Sequence, residues 1–199
     1  MQQKGSFIVI DGPNGVGKTT VASEVARRLR DRGLDVLLTS EPTNSPLGES
    51  VRDWERSYRG RTYACLIAAD RYYHLENEVL PATEQGQVVI SARYVISSLV
   101  LQRLDGVSMD FVWALNSEAL RPDLTVVLTA PPETLANRLS ARGSLSWFEQ
   151  QVTRVAELEA YPQAAVFLEK QGQRVLVLDN GNTPLDAVVD RIIMAIDGS

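Results

Sequence analysis

Between Asp11 and Thr20 the chain reads DGPNGVGKTT, and the order of residue types in that stretch defines a chemistry. Gly12, four intervening residues, then Gly17, Lys18 and Thr19 complete the Gly-x4-Gly-Lys-Thr pattern of a phosphate-binding loop. Glycines at 12, 15 and 17 let the backbone turn so tightly that successive N–H groups point inward around a phosphate. A helix starting near Lys18 adds its positive N-terminal end to the same point. The Lys18 ammonium suits β- and γ-phosphates, and the Thr19 hydroxyl is a hard oxygen ligand for Mg2+. A second anionic group needs further cations, and Arg93 is placed for that role because it leaves the C-terminal end of the buried-type strand Gln87 to Ile90.

Stepping outward from the loop, the apolar run Phe7 to Ile10 is its strand and Val21, Ala22, Val25, Ala26 and Leu29 mark the buried face of its helix. Further strands begin at about 34, 87, 124 and 174, each followed by helical spacing. The result is an α/β domain whose parallel sheet is covered by helices on both faces. Right-handed crossovers gather the strand ends Asp11, Glu41, Ala92-Arg93 and the turn after Leu178 along one edge, beside the loop. A long helix over residues 60 to 80 is predicted to present Leu66, Ile67, Ala69, Tyr73 and Val79 as its apolar side and Asp70, Arg71, His74 and Glu78 as its polar side. A helix from Trp147 to Ala160 is predicted to be ended or interrupted by Pro162.

The 199 residues suit one domain with a sizeable core. A net charge of −5 and the lack of a concentrated Lys/Arg run argue against a nucleic-acid surface, and Arg27, Arg28, Arg30 and Arg32 read as solvated charges on a helix. Cys65, in the apolar run ACLIAA, reads as a buried structural thiol. No apolar run reaches the length of a membrane span, so a cytoplasmic protein is expected.

FIVIDGPNGVGKTT, SEPTNSPLGESVR, LIAADRYYH, VVISARYVISS with Gln102, and RPDLTVVLTAPPETLANRLSARG follow one another nearly end to end as in the thymidylate kinases, which the chain resembles in order and spacing. The resemblance implies a P-loop NTP hydrolase fold with a five-stranded parallel sheet flanked by helices on both faces, a LID at about 142–150 within a single kinase domain, and a homodimer. It implies transfer of the γ-phosphoryl of ATP, with Mg2+, to a pyrimidine nucleoside monophosphate, most readily dTMP. By the same resemblance the loop residues Asn14, Gly15, Val16, Gly17, Lys18, Thr19 and Thr20 hold ATP, and Arg138 packs on adenine. Arg52 and Arg93 grip the acceptor phosphate, Arg71 reads the pyrimidine edge, and Ile67, Ser97, Ser98 and Gln102 line the base pocket. Asp11, Asn14 and Glu41 complete the acceptor side, and Arg142 is the LID arginine nearest the transferring phosphoryl.

The chain departs from the family where an acidic residue usually opens the Asp-Arg-Tyr motif, for that position is Ala92. A carboxylate is thereby missing near the metal and the transferring group, and Asp11 or Glu41 acting through water is the expected replacement. An aromatic that usually stacks on thymine is Ile67, an acidic loop residue that meets the sugar hydroxyl is Asn14, and Val16 stands where an arginine can occur. These departures leave three alternatives beside dTMP phosphorylation: a modified pyrimidine monophosphate as acceptor, a nucleoside kinase, or a nucleotide-binding protein with degenerate chemistry.

Overall fold

Five short apolar runs form the strands β1 (Phe7–Asp11), β2 (Val36–Ser40), β3 (Val88–Ala92), β4 (Leu124–Thr129) and β5 (Val175–Asp179) of a single sheet. The computed structural model describes residues 5–141 and 154–198. All neighbouring strands are parallel, in the order β2-β3-β1-β4-β5. The expected five-stranded parallel sheet is therefore present, and its central strands β1 and β3 are buried from end to end, as strands covered on both faces must be.

The helix after β1, α1 (Lys18–Asp31), packs with the C-terminal helix Leu185–Asp197 in one core layer, around Val21, Val25, Leu29, Val188 and Ile192. The helix after β3, Val95–Leu104, packs in the other layer, with Ile96, Leu99 and Val100 buried. Adjacent strands thus send their helices to opposite faces. A crevice opens at their carboxyl ends, where parallel α/β sheets bind ligands. Numbered in chain order, the remaining helices are α2 (Pro46–Asp53), α3 (Gly60–His74), α4 (Leu80–Glu84), α5 (Val95–Leu104), α6 (Met109–Leu115), α7 (Pro132–Ser140), α8 (Arg154–Lys170) and α9 (Leu185–Asp197). A short 3-10 turn, Trp54–Arg56, follows α2, and a single wide helical turn, Leu75–Val79, joins α3 to α4.

Three expectations are corrected. Pro162 does not end its helix: α8 runs through it to Lys170. Proline removes the donor for the Leu158 carbonyl and costs about 3 kcal/mol inside a helix. However, Ala160, Tyr161, Ala164, Ala165 and Leu168 on either side of it are all buried, and a fully buried leucine alone contributes about 1.5–3 kcal/mol.

The buried side of α3 is displaced from the one expected, Leu66 and Ile67 being half-buried. Asp70, Arg71 and His74 are buried, whereas Ala69 and Tyr73 are exposed, because the polar stripe of this helix faces the site and is satisfied there. Cys65 follows the same rotation. It lies one position off the buried Ala64–Ala68 stripe and is exposed.

The α1 arginines do lie at the surface, in ion pairs such as Arg27 with Asp31 and Arg28 with Asp186 and Asp190.

Candidate active site

The loop between β1 and α1 has the backbone its glycines allow. Gly12 has φ 144° and Gly17 has φ 99°, and a Cβ on Gly12 would stand 2.4 Å from the Leu128 carbonyl oxygen. Gly17 is the N-cap of α1, so Lys18 and Thr19 begin the helix and its positive end points into the crevice. Lys18, buried, donates from Nζ to the carbonyls of Gly12 at 2.7 Å and Pro13 at 3.1 Å. The exposed Thr19 lines the cleft, whereas Thr20, one position on, is exposed outside it.

Val16 and Arg138, expected at ATP, also brace the loop. The Val16 side chain is buried in the core and its N–H donates to the Pro13 carbonyl. Its own carbonyl accepts from Asn180 Nδ2 at 2.7 Å and Arg138 Nη1 at 3.1 Å, while Arg138 Nη2 donates to the Asn180 carbonyl.

Asp11 is a junction inside the protein and does not line the cleft. Its carboxylate accepts from the N–H groups of Gly12 and Tyr94, from Ser97 Oγ and from the Tyr161 hydroxyl, at 2.8 to 3.1 Å. Those donors come from the phosphate loop, from the segment after β3 and from α8, so a single buried carboxylate ties three parts of the site together. Burial, and then the Asp11 charge, push the Tyr161 phenol well above its ordinary range, which keeps it a donor. Asp11, expected on the acceptor side, is occupied by these donors and stands outside the cleft lining.

Arg93 follows directly. It has φ 79°, the one positive φ recorded for a residue other than glycine among the described residues. Its N–H bonds the Ile10 carbonyl, its carbonyl accepts from Ser91 Oγ, and its guanidinium reaches Asn14 Oδ1 at 2.5 Å and Ser97 Oγ at 3.5 Å. Left-handed backbone at a side-chain-bearing residue costs about 1–2 kcal/mol, and such strain collects at functional sites. Arg93→Gly is predicted to be more stable than Arg93→Ala by about 1 kcal/mol, since both remove the guanidinium and glycine alone relieves the strain. Thermal unfolding of the two variants checks this, and equal midpoints would refute it.

The far wall of the cleft is the polar face of α3. Arg71 is 1% exposed. It pairs with Glu41 at 2.8 Å and donates to Asn116 Oδ1 and Ser98 Oγ, with the Tyr94 ring 5.3 Å away. The other Glu41 oxygen meets His74 Nδ1 at 3.2 Å, and His74 Nε2 meets Thr39 Oγ1 at 2.8 Å, so the lone histidine is fully occupied. Asp70 holds the Thr43 N–H and hydroxyl, Thr43 contacts Ser45, and Ser45 caps α2 through the Gly48 N–H. That chain of contacts fixes the helix delivering Arg52, whose guanidinium donates to the Pro42 carbonyl. Gln102 is buried, and its Oε1 has no hydrogen-bond partner among the described residues.

These groups enclose one cleft of about 370 Å³. Of the residues singled out from the sequence, it gathers Asn14, Gly15, Gly17, Lys18, Thr19, Glu41, Arg52, Ile67, Arg71, Arg93, Ser97, Ser98 and Gln102. Asp11, Val16, Thr20 and Arg138 lie outside its lining, and Arg142 and the expected LID at 142–150 lie outside the described residues.

Sequence reasoning missed Asn116, Tyr161 and Glu157. The last of these is 5% exposed in the first turn of α8, and its Oε1 accepts the Asn14 N–H at 3.0 Å. Its spacing was a usable signal. Glu157, Tyr161, Ala164 and Leu168 fall on one helical stripe, and a glutamate at an apolar stripe position calls for a partner.

Comparison with known proteins agrees with this geometry. The family model described as thymidylate kinase matches residues 10–192. A probable thymidylate kinase of Caldivirga maquilingensis is 33% identical over 195 residues, 96% of this chain and 93% of the relative. One from Pyrococcus abyssi is 41% identical over 157 residues, 74% of this chain and 76% of the relative. The thymidylate kinase of Pseudomonas putida is 36% identical over 203 aligned positions, covering 96% of each. With a family match across nearly the whole chain, relatives above 30% identity and a phosphate loop facing an arginine-lined pocket in one crevice, the chain belongs to the thymidylate kinase family.

Proposed function

We propose that the protein transfers the γ-phosphoryl group of ATP to the phosphate of dTMP, releasing dTDP and ADP. The observation that carries this reading is a single shared cleft: Gly15, Gly17 and Lys18 of the phosphate loop line it together with Arg52, Arg93, Arg71, Ser98 and Gln102. One cavity thus offers groups suited to a triphosphate end, an acceptor phosphate and a base edge, and direct in-line transfer requires all three to be held together. In that step an acceptor phosphate oxygen bonds to the γ-phosphorus as the bond to the β–γ bridging oxygen breaks, and ADP carries the bonding pair away. No protein nucleophile takes part.

Lys18 neutralises charge on the phosphates, and Arg93 and Arg52 hold the acceptor. The buried Gln102 Oε1 is an acceptor suited to the N3–H of a pyrimidine, and Ile67 gives the base an apolar cover. The residues present fit Mg2+ arriving with the nucleotide. Thr19 offers a hydroxyl at the start of α1, and no group of three or more His, Cys, Asp or Glu able to hold a metal occurs among the described residues. When bound, the ion supplies charge neutralisation at the phosphates. The proposal includes the adenine contact of Arg138, a phosphoryl contact from Arg142 and homodimeric assembly, which rest on the family resemblance, and a cytoplasmic setting, which rests on the apolar pattern of the sequence. Among the described residues no helix is long and apolar enough to cross a membrane.

A coupled ADP-release assay with ATP, Mg2+ and a panel of dTMP, dUMP, dCMP, CMP and thymidine tests the reading. Turnover is expected to be greatest with dTMP. Silence with dTMP in a protein that binds ATP, or a preference for thymidine over dTMP, would overturn it.

A further inference from the structure

Four buried carboxylates surround the cleft, and three of them are committed to the fold. Asp11 binds the donors from Gly12, Tyr94, Ser97 and Tyr161, Glu41 is divided between Arg71 and His74, and Asp70 holds Thr43. Neither Asp11 nor Glu41 is thus left to replace the carboxylate that the end of β3 lacks at Ala92. Glu157 differs in the company it keeps. It approaches the phosphate loop from α8, accepts the Asn14 N–H, and the opposite charges acting on it are Lys18 from α1 and Arg93 from the end of β3. Asp11 on β1 is the like charge facing it, and Tyr161, four residues on along the same helix, is its neutral neighbour.

We propose that Glu157 is a positioning residue for phosphoryl transfer, holding Asn14 in place and opposing the Lys18 and Arg93 charges so that both cations keep the geometry that meets the phosphates. The inference rests on the reading of the cleft as the transfer site. Asn14 Oδ1 already receives the Arg93 guanidinium, so Glu157 holds one partner of that contact through its backbone N–H and acts on the other through its charge. A carboxylate delivered by α8 therefore supplies what Ala92 does not.

Burial raises the Glu157 pKa, against the lowering influence of Lys18, the Asn14 N–H and Arg93. A carboxyl whose folded pKa is raised stabilises the fold at pH values below the ordinary carboxylate range. That contribution is lost as pH rises through the raised value. In its ionised form the side chain is consequently kept at the expense of stability, the pattern of a residue retained for its charge.

Glu157→Gln separates charge from shape, because the amide oxygen still accepts from Asn14. With ATP and dTMP saturating, its kcat is expected to fall about tenfold or more, while its thermal midpoint at pH 7 equals or exceeds that of the unmodified chain. Adding Ala92→Asp to Glu157→Gln is expected to recover kcat by about threefold or more, a larger gain than Ala92→Asp brings to the unmodified chain. Glu157→Asp, which keeps the charge, serves as the folded control and is expected to outperform Glu157→Gln. A Glu157→Gln enzyme within about twofold of the unmodified kcat, or one slowed only in step with a lowered midpoint, overturns the role. If the unmodified chain itself fails to turn over dTMP, the transfer reading falls and this role falls with it.

Discussion

Replacing Lys18 with alanine is expected to lower turnover of ATP and dTMP by about a thousandfold or more while the protein remains folded. The two halves of that expectation come from different features of the residue. The Lys18 ammonium is held at the mouth of the loop by the Gly12 and Pro13 carbonyls, at the N-terminus of α1. It is a preorganised cation where charge builds on the transferring group, and removing one such donor from an enclosed site commonly costs about 100- to 1,000-fold. The fold depends on it much less. The core beneath the loop is made by Val16, Val21, Val25 and Leu29, which alanine at 18 leaves untouched. Lys18→Arg is not expected to rescue, because a planar guanidinium cannot follow the path of a compact ammonium between the loop and the phosphates. Steady-state ADP release alongside a thermal melt checks both halves. Activity within about tenfold of the unmodified chain would refute the assigned role.

Most of the fold was legible in the sequence because it depends on local signals. Five short apolar runs predict five parallel strands, and the strand positions agree within a few residues. The misreadings have a common cause in tertiary context. Pro162 is a strong local breaker, yet burial on both sides of it carries α8 onward. On α3, the apolar pattern set Ala69 and Tyr73 on the packed side, whereas these are exposed and Asp70, Arg71 and His74 are buried, the first two in the wall of the cleft. In a ligand-binding domain, a polar stripe on a helix can be the side turned inward.

The site was legible in the same proportion. The phosphate loop is continuous in sequence, so every backbone feature it needs can be read from ten residues. Arg93 could be placed because it ends a central strand. Asp11 also ends a central strand, but its neighbours, Ser97 and Tyr161, stand 86 and 150 positions away, and only the folded chain shows that they saturate it. Glu157 is 143 positions from Asn14 and belongs to no motif. What sequence order cannot convey is which of several carboxylates is already engaged, and at this site that decides which of them is left to act on the loop and its cations.

Arg71→Met is expected to unfold about 10 °C lower, from a loss of about 3–5 kcal/mol in a domain of this size. The side chains of Arg71 and Glu41 are 1% and 5% exposed, so the salt bridge between them is shielded from solvent. Removing the arginine strands the Glu41 carboxylate in the interior with His74 as its remaining partner, and it leaves Asn116 Oδ1 and Ser98 Oγ without their donor. A buried charge deprived of its counterion is far more destabilising than the intact pair is stabilising. The double variant Arg71→Met with Glu41→Gln should therefore regain a substantial part of the lost stability, because the stranded charge has gone.

Function should not follow that recovery. The guanidinium lines the cleft with its orientation fixed by Glu41 and Asn116, so the KM for dTMP is expected to rise by about tenfold or more in both variants, with the KM for ATP nearly unchanged. Thermal melts and substrate-specific KM values for the two proteins separate the two roles. A single variant that melts normally would show that the ion pair is not holding the wall. A double variant that regains dTMP binding together with stability would show that Arg71 shapes the pocket without touching the base.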